Sequence, residues 1–436
     1  MQPSRSVVVS SDRAAPSAGG WEGRYAATAA ALPGLARSAR RTLLGFSAFV
    51  DACARLDDCA QIFAADAPPA ARALAADLLG RVRQGIGGEI GLDWPDGDRW
   101  LAGSVPHHLG AGGTSAQIAK ALALTGAPTL LALADRSAGQ LAVLHDGIGL
   151  ASGSLASGGR VVPLGTVVAD ESGAKPRHWI FEATEGTQVA GVSVRRSTRV
   201  IVRLRDDAPE DDPDFAALSV PLAAECGAAA ISSLVSTPEA WLAGTLDRIG
   251  NLVRGWRDAG LGTVHLELAD YGDRPAMPLV ILGALRCAVT SVGMSRSEWA
   301  AIVGGEPTAA ALRDLAESLA LERVCVHADD WALSVTRGDP AREMAALLTG
   351  SLLASARAAA GRPVVPDALP SGALLGPAPE AAPLGGGWSA VGCPAPYLTR
   401  PASTIGLGDT FLAGTLLVLG QPAGTPFAPF DQGDRA

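Results

Sequence analysis

Lysine is nearly missing from this chain. Only Lys120 and Lys175 occur among 436 residues, and every other strongly basic side chain is arginine. Neither lysine completes a GxxxxGK[ST] motif, because Ala121 follows the first and Pro176 the second. A Walker phosphate loop is therefore absent, and so is the protein-kinase motif set. Any nucleotide chemistry must use another phosphate cradle. Cysteine is sparse as well. Cys53, Cys59, Cys226, Cys287, Cys325 and Cys393 are scattered without a CxxC pair, the pattern expected of reduced, mostly buried thiols in a cytoplasmic protein. No run of about 18 uninterrupted apolar residues appears, so no membrane span is expected. A net charge of −9 argues against nucleic acid as a main partner.

What is present suits a large core: 48% of the residues are hydrophobic. One large domain with a smaller inserted one fits the length better than three modules. Residues 1–20 lack an apolar h-region and read as a disordered leader rather than a signal peptide. The stretch WEGRYAATAAALPGLARSARR reads as a helix bent or interrupted near Pro33, and TLLGFSAFVDAC as a strand. A glycine turn joined to an amphipathic helix (LGAGGTSAQIAKALALTG) and the strand APTLLALAD then form a βαβ-like unit. Residues 80–100 form an excursion. The runs GRVVPLGTVVAD, HWIFEAT and TQVAGVSV, within 147–199, make either a small antiparallel lid or additional strands of the main sheet. Later strands (TRVIVRL, AAAISSLV, GTVHLELAD, RCAVTSVGM, ERVCVHAD) alternate with helices such as TPEAWLAGTLDRIGNLVRGWRDAG. Such alternation predicts an α/β fold with a doubly wound, mostly parallel sheet covered on both faces. The expected division is a large domain over 21–79, 101–146 and 200–436, with a lid from 80–100 and 147–199. A long loop is expected from Pro363 to Gly387.

Six stretches carry candidate chemistry. In Gly406-Leu407-Gly408-Asp409 the glycines let backbone N–H groups turn inward, and the helix that follows presents free N–H groups and a positive dipole end. Together these make an anion hole for a phosphoryl group. Asp409 could then take a proton from an attacking hydroxyl, or serve only as an N-cap. In VHLELAD, His265 and Glu267 share one face of a strand that should be nearly all apolar. They stand near its C-terminal end, where α/β sheets bind ligands. Glu267 there suits water-mediated Mg²⁺ binding, against a satisfied buried His–Glu pair. Ser295-x-x-Glu298 fits a capping box better than a metal site. In GFSAFVDA, Ser47, Phe49 and Asp51 fall on one side of the first strand's end. Asp51 there is either a sugar-hydroxyl acceptor or a turn aspartate. GAGGT (Gly110 to Thr114) is a ligand approach or a tight turn. Arg195, Arg196 and Arg199 are a phosphate clamp or a solvated face.

Taken in order from about Trp21 to Leu417, these stretches resemble the ADP-dependent glucokinase/phosphofructokinase family of the ribokinase-like superfamily. STIGLGDTFLAG is similar to that family's STVGLGDT signature, VHLELAD to its HxE motif, and SVGMSRSE to its NxxE segment. RHWIFEATEGTQ resembles its lid segment, and WEGRYAATAAALPGLARSARRTLLGFSAFVDA its first helix and strand. The resemblance implies a ribokinase-like α/β core with a small β-rich lid that closes over a sugar. It implies Asp409 as catalytic base, with Gly406 and Gly408 in the anion hole. It implies Glu267 and Glu298, with Asp409, around Mg²⁺. Asp51, Gly112 and Gly113 would hold the sugar, and Glu89 (in GGEIGLDW) would bind a sugar hydroxyl. Arg199 would contact phosphate, and His327, Thr404 and Leu407 would lie along the nucleotide.

The implied activity is transfer of the β-phosphoryl of ADP to a sugar, with small molecules as partners; a kinase that closes by a lid need not dimerise, so a monomer is the preferred expectation. Two departures stand out. The family's Asn-x-Asn-x-Asp is Ser47-Ala48-Phe49-Val50-Asp51 here, and its NxxE asparagine is Ser295. The first should make one wall of the sugar pocket less polar and change sugar choice. Fructose 6-phosphate as acceptor, ATP as donor to a sugar or nucleoside, and a silent ligand-binding relative are the rival readings.

Overall fold

The computed structural model describes residues 20–427, apart from 154–157, 205–208, 233, 236 and 273. The expected leader lies outside the described residues except for Gly20, which opens the first helix. That helix, Gly20–Ser38, runs through Pro33 without a break, so the expected interruption is absent.

An 11-stranded sheet forms the centre. Its parallel heart runs, edge to edge, through Gly149–Ser152, Thr129–Leu131, Thr42–Gly45, Ala228–Ser232, Thr263–Glu267, Ser291–Ser295 and Arg323–His327. Antiparallel strands finish both margins. Arg160–Pro163 lies at one, and Trp331–Thr336, Trp388–Pro394 and Ala382–Gly385 at the other. Helices cover both faces, giving the doubly wound α/β architecture that the alternating pattern predicts. The runs around GRVVPLGTVVAD therefore extend the main sheet rather than the lid, and the 363–387 loop ends in an edge strand.

Strand alternation sorts the side chains between two cores. Val264, Leu266, Val292, Met294, Val324 and Val326 all enter the core that includes helix Glu239–Asp258. Their alternates His265, Glu267, Ser291, Gly293, Arg323 and His327 look the other way. They face helices Pro340–Ala360 and Leu407–Leu419, whose residues Phe411, Leu412 and Thr415 line the same small space.

A second, 5-stranded sheet stands where the lid is expected, in the order Gly88–Gly91, Thr198–Arg203, His178–Ala183, Phe49–Arg55, His108–Gly112. The single strand expected from TLLGFSAFVDAC is in fact two. Thr42–Gly45 belongs to the large sheet and Phe49–Arg55 to the lid, so the chain crosses between sheets at Phe46–Ala48. Residues 49–55, 108–112 and 200–203 thus join the lid, outside the expected boundaries. The lid's outer face is apolar: Ala52, Ala54, Trp179, Phe181, Val200 and Val202 pack with helix Pro69–Gln84. Its inner face carries Asp51, His178, Glu182, Arg199 and Arg203.

Helices Pro340–Ala360 and Leu407–Leu419 cross nearly backbone to backbone. A methyl group at Gly350 would stand 2.5 Å from the Phe411 carbonyl oxygen, and one at Gly414 would stand 2.7 Å from the Gly350 nitrogen. Backbone on both sides leaves nothing flexible to give way. Gly350→Ala and Gly414→Ala should each lower stability by about 1–3 kcal/mol, the usual cost of overpacking, measured as a lower urea midpoint with unchanged slope.

Candidate active site

The glycine turn opens helix Leu407–Leu419, with Gly406 at its N-cap in the left-handed region (φ +65°). A backbone of that sign favours glycine. What lies beneath demands it too. A methyl group on Gly406 would sit 2.5 Å from the Arg357 guanidinium carbon, and one on Gly408 would sit 3.1 Å from His327 Cε1. No side chain of the turn caps the helix. Asp409 is therefore not the N-cap. It stands in the first turn, half-buried, with the Thr114 side chain near enough to lower its pKa. Burial raises its pKa above the ordinary carboxylate value, and the charges of Arg357 and Arg199 pull against that rise.

Thr114 brings the second glycine stretch to the same place. Helix Thr114–Thr125 starts after Gly113 (φ +80°), where a methyl group would meet the Ser47 backbone at 2.8 Å. Asp51 lies against the α-carbon of Gly112, so that any side chain there would overlap the carboxylate. Asp51 is 6% exposed. Burial pushes its pKa up to about 7; His178 opposes the rise and Asp409 adds to it. Asp51, Gly112, Gly113 and Asp409 are thus gathered at one spot.

Where the resemblance leads one to expect two amides stand Ser47, whose hydroxyl bonds elsewhere, and Phe49, whose ring lies against Gly113. Ser47 Oγ is 2.6 Å from Ser232 Oγ and accepts the Ser115 N–H at 3.2 Å. The Phe49 ring stacks on His178 (centroids 4.3 Å apart), with the Lys175 ammonium 5.0 Å from its centre. Ser47 does not share Phe49's strand, contrary to the single-strand expectation.

Glu267 is the hub of the polar face. It accepts from His265 Nε2 at 2.9 Å and from His327 Nε2 at 3.1 Å. Burial alone would raise its pKa, but these two imidazoles outweigh burial and hold the carboxyl down to about 2. An ionised Glu267 requires His265 to donate from Nε2, which makes Nδ1 an acceptor for Ser291 Oγ at 2.8 Å. Ser291 also accepts from Arg323 Nη1 at 3.2 Å, and Arg323 is paired with buried Glu343 at 2.8 Å. Glu298 forms a full capping box. It accepts the Ser295 N–H at 2.6 Å while its own N–H donates to Ser295 Oγ at 3.2 Å. Burial, then the charge of Glu267, pushes its carboxyl up to about 7.

The lid reaches down onto the turn. Glu182 Oε1 accepts from Ser403 Oγ at 3.0 Å and from the Thr404 N–H at 3.1 Å, while Arg199 donates to the Thr404 carbonyl at 3.1 Å. Leu407 is the first residue of the helix that follows. Glu89 is on the lid strand beside Arg203, 3.2 Å from its Nε. The basic cluster does not act as one group, since Arg195 is exposed and Arg196 pairs with exposed Asp329 at 3.0 Å.

Sequence reasoning missed Gln117 and Arg357, and it marked the stretches that hold Thr114 (GAGGT) and Glu182 (RHWIFEATEGTQ) without singling out either residue. Arg357 left one trace, an arginine in the apolar, small-residue stretch LLASARAAAG. Among the described residues, no three His, Cys, Asp or Glu side chains converge closely enough to ligate a metal directly.

This geometry is that of a two-sheet α/β protein with a carboxylate at the mouth of a glycine-turn helix. Its fold is that of the ADP-dependent phosphofructokinases. A reconstructed last common ancestor of those enzymes from Methanosarcinales superposes with a TM-score of 0.67 at 18% identity, covering 92% of this chain and 98% of its own. An ADP-dependent kinase complex with fructose-6-phosphate and ADPβS gives 0.75 at 18% identity, over 93% and 99%. A hypothetical ADP-dependent phosphofructokinase from Pyrococcus horikoshii OT3 gives 0.69 at 18%, over 88% and 98%. No family model matches the sequence, and no curated protein matches it either. No helix among the described residues is long and apolar enough to cross a membrane.

A raised carboxyl pKa leaves a signature in stability. Asp51 titrates near 3.9 when unfolded and near 7 when folded. The native state therefore holds the proton between these values, and its contribution to stability is lost as pH rises from about 4 to about 7. The wild-type unfolding free energy should fall relative to Asp51→Asn across that window by roughly 1–4 kcal/mol. Urea titrations at several pH values test this, and a constant difference counts against it.

Proposed function

We propose that the protein is an ADP-dependent sugar kinase, which moves the β-phosphoryl group of ADP to a sugar hydroxyl and releases AMP. The observation that carries this reading is the meeting of Asp409, the open N-terminus of its helix, and Asp51 beside Gly112 and Gly113 under one lid. Asp51 holds the sugar. Asp409 accepts the proton of the attacking hydroxyl as the O–P bond forms. The unpaired N–H groups of the helix's first turn meet the charge of the group in transfer. Arg199 brings a cation from the lid, and closure of the lid keeps water away. His327, Thr404 and Leu407 flank the nucleotide side.

The acidic groups fit Mg²⁺ in one manner only. Among the described residues direct ligation by three side chains is absent, but Mg²⁺ keeps waters and binds substrate phosphates beside one or two carboxylates. Glu267, already ionised, and Glu298 would hold those waters, with Asp409 nearby. When bound, the ion would neutralise phosphate charge.

The acceptor is a free sugar in the first reading. Two cations near the acceptor wall are already paired, Arg203 with Glu89 and Lys175 with Glu210. A sugar phosphate would have to displace a carboxylate to reach either of them. Phosphofructokinase activity is the second reading, favoured by the fructose-6-phosphate complex among the similar structures. The missing amides and the Phe49 ring favour an acceptor with an apolar face over plain glucose.

Free and phosphorylated sugars, each offered with ADP or ATP and Mg²⁺, should yield AMP from ADP with a free sugar. Turnover by Asp409→Asn should fall by roughly 10²-fold or more, with nucleotide binding retained. Binding without transfer across the whole panel would sink the kinase reading.

A further inference from the structure

The buried Arg357 is a cation without a matching anion. It projects from the last turn of helix Pro340–Ala360 and is 5% exposed. Its Nη1 donates to Gln117 Oε1 and Thr410 Oγ1, both at 2.9 Å, and both are neutral. Its Nε has no partner. The guanidinium lies directly against Gly406, below the N-terminus of helix Leu407–Leu419. That end of a helix is itself positive. A guanidinium cannot shed its proton in a protein, and burying an uncompensated charge is costly. Two positive elements are stacked here, and the nearby negative charges to which Arg357 responds are Asp409 and Asp51, not an ion-pair partner. A doubly charged group resting on the turn would satisfy both.

We propose that Arg357 is a positioning residue for the transferred phosphoryl group, supplying from beneath the glycine turn the fixed positive charge that a phosphate-loop lysine supplies elsewhere. It acts through the turn without touching the phosphate. It holds Gly406 in its left-handed conformation through Thr410, whose hydroxyl also donates to the Gly406 carbonyl at 2.8 Å. Through Gln117 it ties the turn to the helix that begins at Thr114, and so to the sugar side. The turn therefore presents its N–H groups with a cation behind them, and the field favours the β-phosphate of ADP over a monophosphate. This inference rests on the kinase reading.

The test compares ADP with AMP, because only ADP carries the phosphate that would reach the turn. Calorimetric affinities are measured on wild type, Arg357→Gln and Arg357→Lys. The glutamine variant should lose about 10-fold or more in ADP affinity while AMP affinity changes by no more than about 3-fold. The lysine variant should keep an ADP-to-AMP ratio near the wild-type value, even if both affinities fall. Equal losses for ADP and AMP in Arg357→Gln would mean a structural role only and would overturn the proposal. If that variant does not fold, Arg357→Lys decides alone, since collapse of its ratio overturns the proposal and retention supports it. Wild-type protein that binds neither nucleotide would remove the kinase reading and this inference together. Discrimination by wild type that persists unchanged in Arg357→Gln removes the inference alone.

Discussion

Two helices touch at a pair of glycines, and the candidate site depends on that contact. Gly350 and Gly414 remove the side chains that would hold helices Pro340–Ala360 and Leu407–Leu419 apart. The helices run antiparallel. Seven residues beyond Gly350, or about 10 Å of helical rise, Arg357 arrives beneath Gly406. Helices are stiff over such lengths, so the height of the turn above the sheet is set at the crossing. The position of Asp409 follows from that height, because it belongs to the first turn of the same helix.

The large sheet makes the second contribution through its asymmetry. One face is a conventional apolar core of Val, Leu, Met and Trp. On the other face, three adjacent parallel strands place His265, Glu267, Ser291, Arg323 and His327 side by side. Buried polar groups are tolerated when each finds a partner. Here they form one chain, from the Arg323–Glu343 pair through Ser291 and His265 to Glu267. The chain fixes the tautomer of His265 and leaves Glu267 ionised at the edge of the cleft. Gly293 is the gap in which this chain fits, since a side chain there would overlap both Glu267 and His265.

The lid is held down by few groups. Its apolar outer face packs within its own small core, while Val50 and Ala111 of the same sheet join the main core that holds Phe411 and Leu412. Glu182 and Arg199 both hold the backbone of Thr404, one accepting its N–H and the other donating to its carbonyl. These two residues are direct neighbours on adjacent antiparallel strands. Charge-assisted hydrogen bonds of this kind are short and directional, yet exposed to competition from water and ligand.

Much of this was legible in the residues alone. Alternating β and α patterns announced a covered parallel sheet, since only burial on both faces makes such strands uniformly apolar. That same rule flagged His265 and Glu267 as exceptions, and the glycines beside Asp409 marked a helix mouth. Local signals of this sort work because they depend on one element and its solvent. The lid boundaries were not legible, because pairing across sheets is decided by distant partners: Phe49–Arg55 continues a sequence run but hydrogen-bonds to His178–Ala183 and His108–Gly112. Arg357 was equally hidden. Its meaning comes from Gly406, Gln117 and Thr410, which lie far from it in the chain, and only the packing of two helices reveals that the glycine turn has a cation beneath it.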